Sequence, residues 1–590
     1  MNREKLGSRL GFIMLSAGCA IGCGNVWKFP WMCGQYGGGS FMLVYIICLI
    51  VLGIPCLIME FSVGRAAQTS PIKMYRKLEK PKQKWGGFGW VCLVGNLAIM
   101  AFYTVVCGWI IYYFINFLTG NNRDLGFTTM IANPSVNVIF MMITVVIAFV
   151  ILSFNIQGGL ERITKYMMIA LLALMIVLAI HSLFLSGSGE GMTFYLKPDF
   201  SKINGDVVVG AMNQAFFSLS TGMGGMAIFG SYIGKDHSLM GEAINVISLD
   251  TLVALLAGII IFPACFTYNL EVNSGPNLLF DTMATVFNNM PGGRIWGSLF
   301  FLFMVFAAMS TVLGVCENIL AMIRDLTGWS RIKGSLICGI VVFVLALTTA
   351  LGFSVLHFQP FAEGTTWLDF WDFIVSTNVL PLGSLVLALF CCNKFGWGWD
   401  NFIKEANTGI GMKVRSWMKP IFKYVVPTAI AFIYVYGLVT FNLIHKIKSV
   451  WSNLHTDFFG LNIHFLVFSV GFESYGIVKP HCTLVEFPHI KFQPVKVSVL
   501  SLLFAEVYQL CCNTHSAEVF INSEFSNPVE FSLQTVRRFF LNYVFNGCKS
   551  ADCVTVHGND NIGIFAVKNF IHYVFHLIAE IISKYIRSAV

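Results

Sequence analysis

Charged residues are scarce in this chain of 590 residues: they make up 12% of the sequence, whereas apolar residues make up 56%. Soluble globular proteins carry roughly 25% charged residues. Half of that fraction leaves too few charges to cover the water-facing surface of so long a chain, which excludes a soluble fold. Disorder is also excluded, because disordered chains are poor in apolar residues. The composition therefore predicts a protein that crosses a membrane several times.

Several functional motifs are missing as well. The sequence has no GxxxxGK[ST] phosphate-binding loop, so we expect no ATP hydrolysis, and it offers no recognisable site for an organic cofactor. Its 17 cysteines show no zinc-binding spacing, and within apolar stretches they are best interpreted as small packing residues. No credible nucleophile and base or catalytic metal group is apparent, so we do not expect an enzyme. The basic residues are spread over short loops, which does not indicate a nucleic-acid partner.

Eleven stretches before residue 446 are long and almost free of charge. Each has about the 20 apolar residues that a helix needs to cross a lipid bilayer. They are too long and too numerous to be the buried helices of a soluble core. The predicted spans, numbered one to eleven along the chain, cover about residues 10–30, 38–60, 87–118, 136–155, 163–186, 207–233, 242–269, 295–322, 334–352, 370–392 and 424–444.

Basic residues cluster in loops on one side of these spans. The segment 65–84 holds seven basic residues and one acidic residue, and the segment 394–423 holds six basic residues. Both segments lie on the same side as the N-terminus. The positive-inside rule therefore predicts a multi-pass protein of the plasma (inner) membrane with a cytoplasmic N-terminus. The apolar stretch near the N-terminus lacks a small-residue cleavage site, so we expect no removable signal peptide.

Spans one and six each contain a cluster of glycines at their centre. The first cluster lies at residues 18–24 and the second at residues 222–225. Glycine weakens a helix and permits unusual backbone angles, and a pair of interrupted spans at matching positions indicates a substrate site at the membrane midplane. Close helix packing is the alternative, since Gly18 and Gly22 form a small-xxx-small pattern.

Polar residues beside the glycines favour interrupted helices over simple packing. Asn25 and Ser218 lie at the two clusters, Asp250 lies within span seven, and Ser310 and Thr311 lie within span eight. Their amide, hydroxyl and carboxylate oxygens are hard ligands that suit a hard cation.

At these residues the sequence resembles the neurotransmitter:sodium symporter family. Among bacterial members, it is most similar to the eleven-span transporters of hydrophobic and aromatic amino acids. The resemblance covers about residues 1–445. The motifs that carry it are GSRLGFIMLSAGCAIGCGNVWKFPW at 7–31, YGGGSF at 36–41, GIPCLIMEFSVGR at 53–65, FFSLSTGMGGMAIFGSY at 216–232 and LDFW at 368–371.

The resemblance implies an all-α membrane fold of two inverted five-helix repeats, as in the leucine transporter, plus an eleventh transmembrane helix. The first repeat would cover about residues 8–186, the second about 206–393, and the eleventh helix about 424–444. Residues 446–590 show no such resemblance and no clean apolar span. They are an extension of unknown role, and a frameshift past the true end of the coding sequence is an alternative.

The resemblance also implies two bound sodium ions, and it assigns ligands to each. The first sodium site would use the Ala20 carbonyl with Asn25, Ser218 and Asp250, and the substrate carboxylate would complete it. The second sodium site would use the carbonyls of Gly18, Ile21 and Ala307 and the hydroxyls of Ser310 and Thr311.

The substrate site implied by the resemblance lies beside the first sodium site. Gly22 occupies the position at which monoamine transporters carry an Asp, which favours an amino acid over a decarboxylated amine. Tyr103 would bind the substrate carboxylate. The remaining substrate residues would be Ile99, Phe217, Ser218, Ser220, Met223, Thr311 and Val315, and we expect room for a large apolar or aromatic side chain.

Charged residues suggest further features by the same resemblance. Asp250 would replace the chloride of animal relatives, so we expect chloride-independent transport. Lys28 and Asp369 would form an outer gate, and Arg3 and Asp325 an inner one. Glu60 is interpreted as a structural anchor near the interrupted segments.

Glu317 is a further acidic residue within a predicted span. Glu317 could either make the substrate pocket more polar or pair with another helix.

The sequence predicts a sodium-coupled amino-acid symporter working by alternating access in the bilayer. The alternative is a non-transporting, sodium-dependent amino-acid sensor.

Overall fold

The computed structural model describes residues 5–123, 125–270, 276–356, 360 and 365–438. Arg3, the end of predicted span eleven and the predicted extension 446–590 lie outside the described residues. Within them the protein is helical, without a β-strand and with one isolated bridge, between His237 and Ile410. This agrees with the predicted all-α class.

Nine helices of the described residues are long and apolar enough to cross a membrane, and a bent pair of shorter helices makes ten. Predicted span six consists of two helices that are each too short to qualify alone. In chain order, the bounds are span one Arg9–Ala20 with Gly24–Gln35, span two Gly39–Ala67, span three Trp85–Thr119, span four Pro134–Ser153, span five Ile156–Leu183, span six Gly205–Leu219 with Gly225–Gly230, span seven Leu239–Thr267, span eight Gly293–Thr327, span nine Arg331–Gly352, span ten Trp367–Cys392 and span eleven Ser416–Leu438.

Shorter helices connect several of these spans. Their bounds are Pro71–Leu78, Phe127–Ile131, Ser188–Leu196, Ala284–Asn289 and Trp399–Ala406.

Both predicted interruptions are present. Span one stops at Ala20, because Ile21 adopts an extended conformation, and its two halves are bent by 56°. In span six, Ser220, Gly222 and Gly224 have φ values of +48°, +99° and +78°. Only glycine adopts this left-handed region at little cost, so the glycine cluster allows the backbone to leave the helix here.

Gly222 is also required for the close approach of spans six and ten. A Cβ atom on Gly222 would lie 2.6 Å from the Leu380 carbonyl oxygen, and one on Gly383 would lie 2.0 Å from the Gly222 oxygen. The unwound part of span six therefore packs backbone to backbone against span ten. Any larger residue at either position would separate them.

The loops that the charge pattern places with the N-terminus meet on one face of the bundle, here called the N-terminal face: Lys80 donates to the Lys394 carbonyl at 3.1 Å, and Arg65 pairs with Glu405 at 2.7 Å. The Glu161 carboxylate accepts hydrogen bonds from the backbone N–H groups of Gly7, at 2.7 Å, and Ser8, at 3.1 Å. Arg9 pairs with Glu242 at 2.8 Å. The start of span one is thereby tied to the start of spans five and seven.

A groove of about 410 Å³ lies on the apolar outer surface between spans four and nine. Its wall is almost entirely hydrocarbon, and Val146, Val150, Ile332 and Leu336 on it are more than half exposed. Exposed apolar side chains of this kind suit contact with lipid. None of the predicted site residues lines this groove.

Candidate ion and substrate site

The two interruptions meet at a fully buried polar cluster. Asn25 donates from Nδ2 to the Asp250 carboxylate at 2.9 Å, and the Ser218 hydroxyl donates to the other oxygen of the same carboxylate at 2.6 Å. Tyr45 donates to the Ser218 oxygen at 3.2 Å. All of these side chains except Tyr45 were expected from the sequence. The structure brings them together from spans one, two, six and seven.

The donor set at this cluster fits a sodium ion. Oδ1 of Asn25 is buried and has no hydrogen-bond partner among the described residues, although buried acceptors are almost always paired. Ala20 ends the first half of span one beside it, and carbonyls at a helix C-terminus attract cations. An orphaned amide oxygen surrounded by hydroxyl and carboxylate oxygens is a hard-cation environment.

The residues expected at the second sodium site also lie together. The Thr311 hydroxyl lies 3.4 Å from the Gly18 carbonyl oxygen, 3.2 Å from that of Ile21 and 3.4 Å from that of Ala307. Ser310 donates to the Ala307 oxygen at 2.9 Å. A single hydroxyl hydrogen cannot satisfy three carbonyls at such distances. The arrangement is therefore a cage of hard oxygens across spans one and eight.

The predicted substrate residues surround Gly22. A Cβ atom on Gly22 would lie 2.4 Å from the Tyr103 hydroxyl oxygen and 2.6 Å from the Thr311 hydroxyl oxygen. The Cys23 backbone N–H donates to the Tyr103 hydroxyl at 2.9 Å. Because Gly22 has no side chain, these two hydroxyls approach the backbone of span one directly.

Phe217 closes one side of this region. Its ring lies under the Lys28 ammonium, with Nζ 3.8 Å from the ring centroid, and 2.9 Å from a Cβ atom built on Gly24. Phe217 and Ser220 are partly exposed, whereas Ile99, Met223 and Val315 are buried. The ring packs across the break in span one, beside Gly24.

Comparisons with known proteins show the family to which the chain belongs. The profile described as the Sodium:neurotransmitter symporter family matches residues 3–129 and 124–470. An uncharacterized sodium-dependent transporter of Bacillus subtilis is 33% identical over 450 residues, covering 74% of this chain and 98% of the relative. One of Haemophilus influenzae is 32% identical over 454 residues, covering 74% of this chain and 98% of the relative.

This chain belongs to the sodium:neurotransmitter symporter family. It is a sodium-dependent transporter and not an enzyme, as its relatives are transporters. The crystal structure of MhsT in complex with L-phenylalanine superimposes with a TM-score of 0.67 at 34% identity, covering 74% of this chain and all of that one. The match confirms the predicted fold class, with its two inverted repeats and additional helix.

The two residues predicted to form an outer gate do not pair with each other in the structure. Lys28 and Asp369, both described, do not form an ion pair in the structure, and neither do Lys28 and Asp372, although the Asp372 carboxylate is near enough to act on Lys28 electrostatically. The Asp369 carboxylate instead accepts from the Thr366 N–H and hydroxyl, each at 2.8 Å, and closes a capping box at the start of span ten. Asp372 lies almost one helical turn further along span ten. Because Asp369 is engaged in the capping box and is not paired with Lys28, the structure does not support it as the partner of Lys28.

At the inner gate, only one of the two predicted residues can be placed. Asp325 lies on the N-terminal face, where its carboxylate accepts from the Ser70 N–H at 2.8 Å and its carbonyl accepts from the Lys73 ammonium. The transporter's Asp325 therefore contacts the loop after span two. Arg3 lies outside the described residues.

Two further buried carboxylates have structural roles in the transporter. Glu60 accepts from the backbone N–H groups of Gly222, at 2.9 Å, and Met226, at 3.2 Å, which confirms it as an anchor of the unwound segment. Glu317 pairs with Arg331 at 2.5 Å and accepts from the Tyr232 hydroxyl at 2.7 Å. This decides between the two interpretations of Glu317 in favour of helix pairing.

Sequence reasoning missed several polar residues that support the site. They are Tyr45, which contacts Ser218; Gln214, which donates to the Gly24 carbonyl at 2.8 Å; Asp372; and the buried amides Asn96 and Asn318. Polarity within an apolar span was the available signal, because a polar group at membrane depth is costly without a role. In the sequence, polar residues were interpreted only beside the glycine clusters, and elsewhere only acidic residues were considered.

Proposed function

We propose that the protein is a sodium-coupled symporter of a hydrophobic or aromatic L-amino acid. The observation that carries the proposal is that the Tyr103 and Thr311 hydroxyls converge on Gly22, which brings no carboxylate of its own, in the same interrupted span as Asn25 of the Asn25–Asp250 cluster. A substrate carboxylate at this break would accept from the Tyr103 hydroxyl and complete the first sodium site. An amine-specific site would instead need its own carboxylate at this position.

The apolar character of the substrate is supported by the other predicted substrate residues. Ile99, Met223 and Val315 offer hydrocarbon and a thioether, and Phe217 covers the break. Methionine adapts to substrates of different shape. MhsT, which has the same fold, was crystallised with L-phenylalanine.

Two sodium ions would be transported with each substrate in this proposal. The first would bind Asn25, Ser218, Asp250 and the Ala20 carbonyl, and the second would bind the oxygen cage around Thr311. Each positive charge that moves down the membrane potential releases about 2.3 kcal/mol per 100 mV. Two ions therefore supply enough free energy to accumulate an amino acid without ATP.

Transport is proposed not to need chloride. Asp250 is fully buried, and its side-chain donors among the described residues are the neutral groups of Asn25 and Ser218. As an ionised group it supplies a fixed negative charge next to the first sodium site. A mobile anion would then be both redundant and repelled.

Alternating access would open the site to one face at a time. Lys28 with Asp372 and the Phe217 ring would close the outer side, and Arg3 and Asp325 are retained as the inner pair. The protein is placed in the plasma membrane with its N-terminal face in the cytoplasm, where the basic loops belong. Residues 1–445 form the transporter core, and 446–590 form an extension without an assigned role.

The proposal is tested by uptake into liposomes that contain the purified full-length protein. A panel of labelled amino acids is offered with an inward sodium gradient, with potassium replacing sodium, and with gluconate replacing chloride. We expect concentrative uptake of apolar amino acids only with sodium, unchanged in gluconate. Loss of uptake without chloride would contradict the role of Asp250. Sodium-dependent binding without flux would favour the sensor.

A further inference from the structure

Spans three and eight run antiparallel past each other and build the substrate region in layers. Tyr103 and Thr311 lie on one level, since both hydroxyls converge on Gly22. Seven residues earlier on span three is Asn96, and seven residues later on span eight is Asn318, and these two are hydrogen-bonded at 2.9 Å. Seven residues are two helical turns, so the register is the same at both levels.

The layer between the hydroxyls and the amides is apolar. Ile99 and Val315 lie midway along the same faces of spans three and eight, and both are buried. The substrate region therefore has hydroxyls at one level, hydrocarbon in the middle and an amide pair beyond. We call Asn96 and Asn318 the amide floor; it lies about 10 Å of helix rise from the Tyr103 level.

The amide floor is tied to the unwound segment of span six. Asn96 donates from Nδ2 to the Met223 carbonyl at 2.9 Å and to the Cys92 carbonyl at 2.7 Å. Nδ2 of Asn318 lies 3.5 Å from the same Met223 oxygen. Met223 belongs to the segment that borders the proposed substrate side chain, so the floor and the pocket wall are one unit.

These contacts also determine which way the amides point. Because Asn96 must use its NH₂ group for two carbonyls, its Oδ1 faces Asn318 and needs a donor there. Asn318 must therefore present its own NH₂ group to Asn96. Its Oδ1 is left with no hydrogen-bond partner among the described residues, although the Asn318 side chain is fully buried. A buried amide oxygen without a donor is rare and costly.

We propose that Asn318 Oδ1 accepts a hydrogen bond from the far end of the substrate side chain. The substrate class is then narrower than apolar amino acids in general: an aromatic amino acid with a side-chain donor, such as the hydroxyl of tyrosine or the indole N–H of tryptophan. The inference rests on the proposed function, since it places the substrate carboxylate at Tyr103. Asn96 acts as a positioning residue, because it orients Asn318 and holds Met223.

The test uses purified full-length protein and sodium-dependent binding, measured by competition against labelled phenylalanine. Two matched ligand pairs isolate the donor: tyrosine against phenylalanine, and tryptophan against 3-benzothienylalanine, in which sulfur replaces the indole N–H. The variant Asn318→Leu keeps a similar volume and removes the acceptor. Asn116→Leu, on span three beyond the Tyr103 level, is the control.

In the wild type, we expect at least one donor-bearing ligand to bind about tenfold more tightly than its matched partner, as for a buried hydrogen bond. In Asn318→Leu that ratio should fall to one or below, with sodium-dependent phenylalanine binding retained; in Asn116→Leu it should not change. Ratios near one for both pairs in the wild type would overturn the inference, even if the variant does not fold. A ratio that survives in Asn318→Leu would overturn it too. If no amino acid binds with sodium, the proposed function itself fails.

Discussion

The buried ion pair between Glu317 and Arg331 allows a quantitative prediction about stability. Their side chains are 1% and 8% exposed, and the guanidinium makes two contacts with the carboxylate, at 2.5 and 3.2 Å. Arg331 also donates from Nε to the Leu152 carbonyl at 2.7 Å. Glu317→Gln keeps the shape of the side chain but removes the carboxylate that pairs with the buried guanidinium, which costs about 3–5 kcal/mol.

Thermal unfolding with a thiol-reactive fluorogenic dye measures this loss. Twelve free cysteines of the described residues are all buried, so the dye reacts when the bundle opens. At roughly 2 °C per kcal/mol for a large domain, the unfolding temperature of Glu317→Gln should fall by about 6–10 °C. Lys333→Gln, an exposed cation two residues from Arg331, is the control and should have little effect.

The double variant Glu317→Leu/Arg331→Met separates charge from packing. Removing both charges avoids a buried unpaired ion, so this variant should recover much of the stability lost in Glu317→Gln. Wild-type stability of Glu317→Gln would refute the reasoning, and so would a double variant as unstable as the sum of its singles. Sodium-dependent substrate affinity should be unchanged in the folded protein, since the pair joins spans eight and nine and not the pocket.

Three further predictions concern the site. Thr311→Val removes the hydroxyl from the carbonyl cage and should raise the sodium concentration for half-maximal uptake about tenfold, measured by sodium titration; an unchanged value would contradict the second ion site. Asp372→Asn removes a carboxylate that acts on Lys28 and should raise the substrate off-rate about two- to fivefold, as for a weak charge interaction, whereas Asp369→Asn should not; the reverse order in a washout assay would restore Asp369 as the gate. Gly22→Ala should abolish substrate binding, because its methyl group would lie 2.4 Å from the Tyr103 hydroxyl oxygen; retained binding by equilibrium dialysis would exclude this location.

Features that depend on neighbouring residues could be predicted from the sequence. Apolar stretches of about 20 residues locate the spans, and glycine clusters locate both interruptions, because each property is set within one or two helical turns. Glu60 was assigned correctly for the same reason, since a carboxylate in an apolar span needs donors and an unwound segment offers N–H groups. The contact between Gly222 and Gly383 was not predictable, because it depends on how closely spans six and ten approach.

The gate shows how a local signal was available but was not used. Thr366 precedes Asp369 by three residues, which is the spacing of a capping box at a helix start. A carboxylate engaged by the helix N-terminus is not available to Lys28. The next acidic residue, Asp372, lies one position short of a full turn further on and projects from nearly the same face. Had the capping box been recognised first, Asp372 rather than Asp369 would have been predicted as the partner of Lys28.

The contact between the two residues of the amide floor could not be predicted from neighbouring residues. Asn96 and Asn318 are 222 residues apart, and nothing near either one indicates the other. Yet a single long-range contact is enough to pair them, because antiparallel helices keep a constant register. If Tyr103 and Thr311 both face Gly22, as the site assignment requires, residues two turns away in opposite directions along the chain must also meet. One inferred contact in the substrate site therefore implies a buried amide pair two turns deeper, where the side chain of a bound substrate would end.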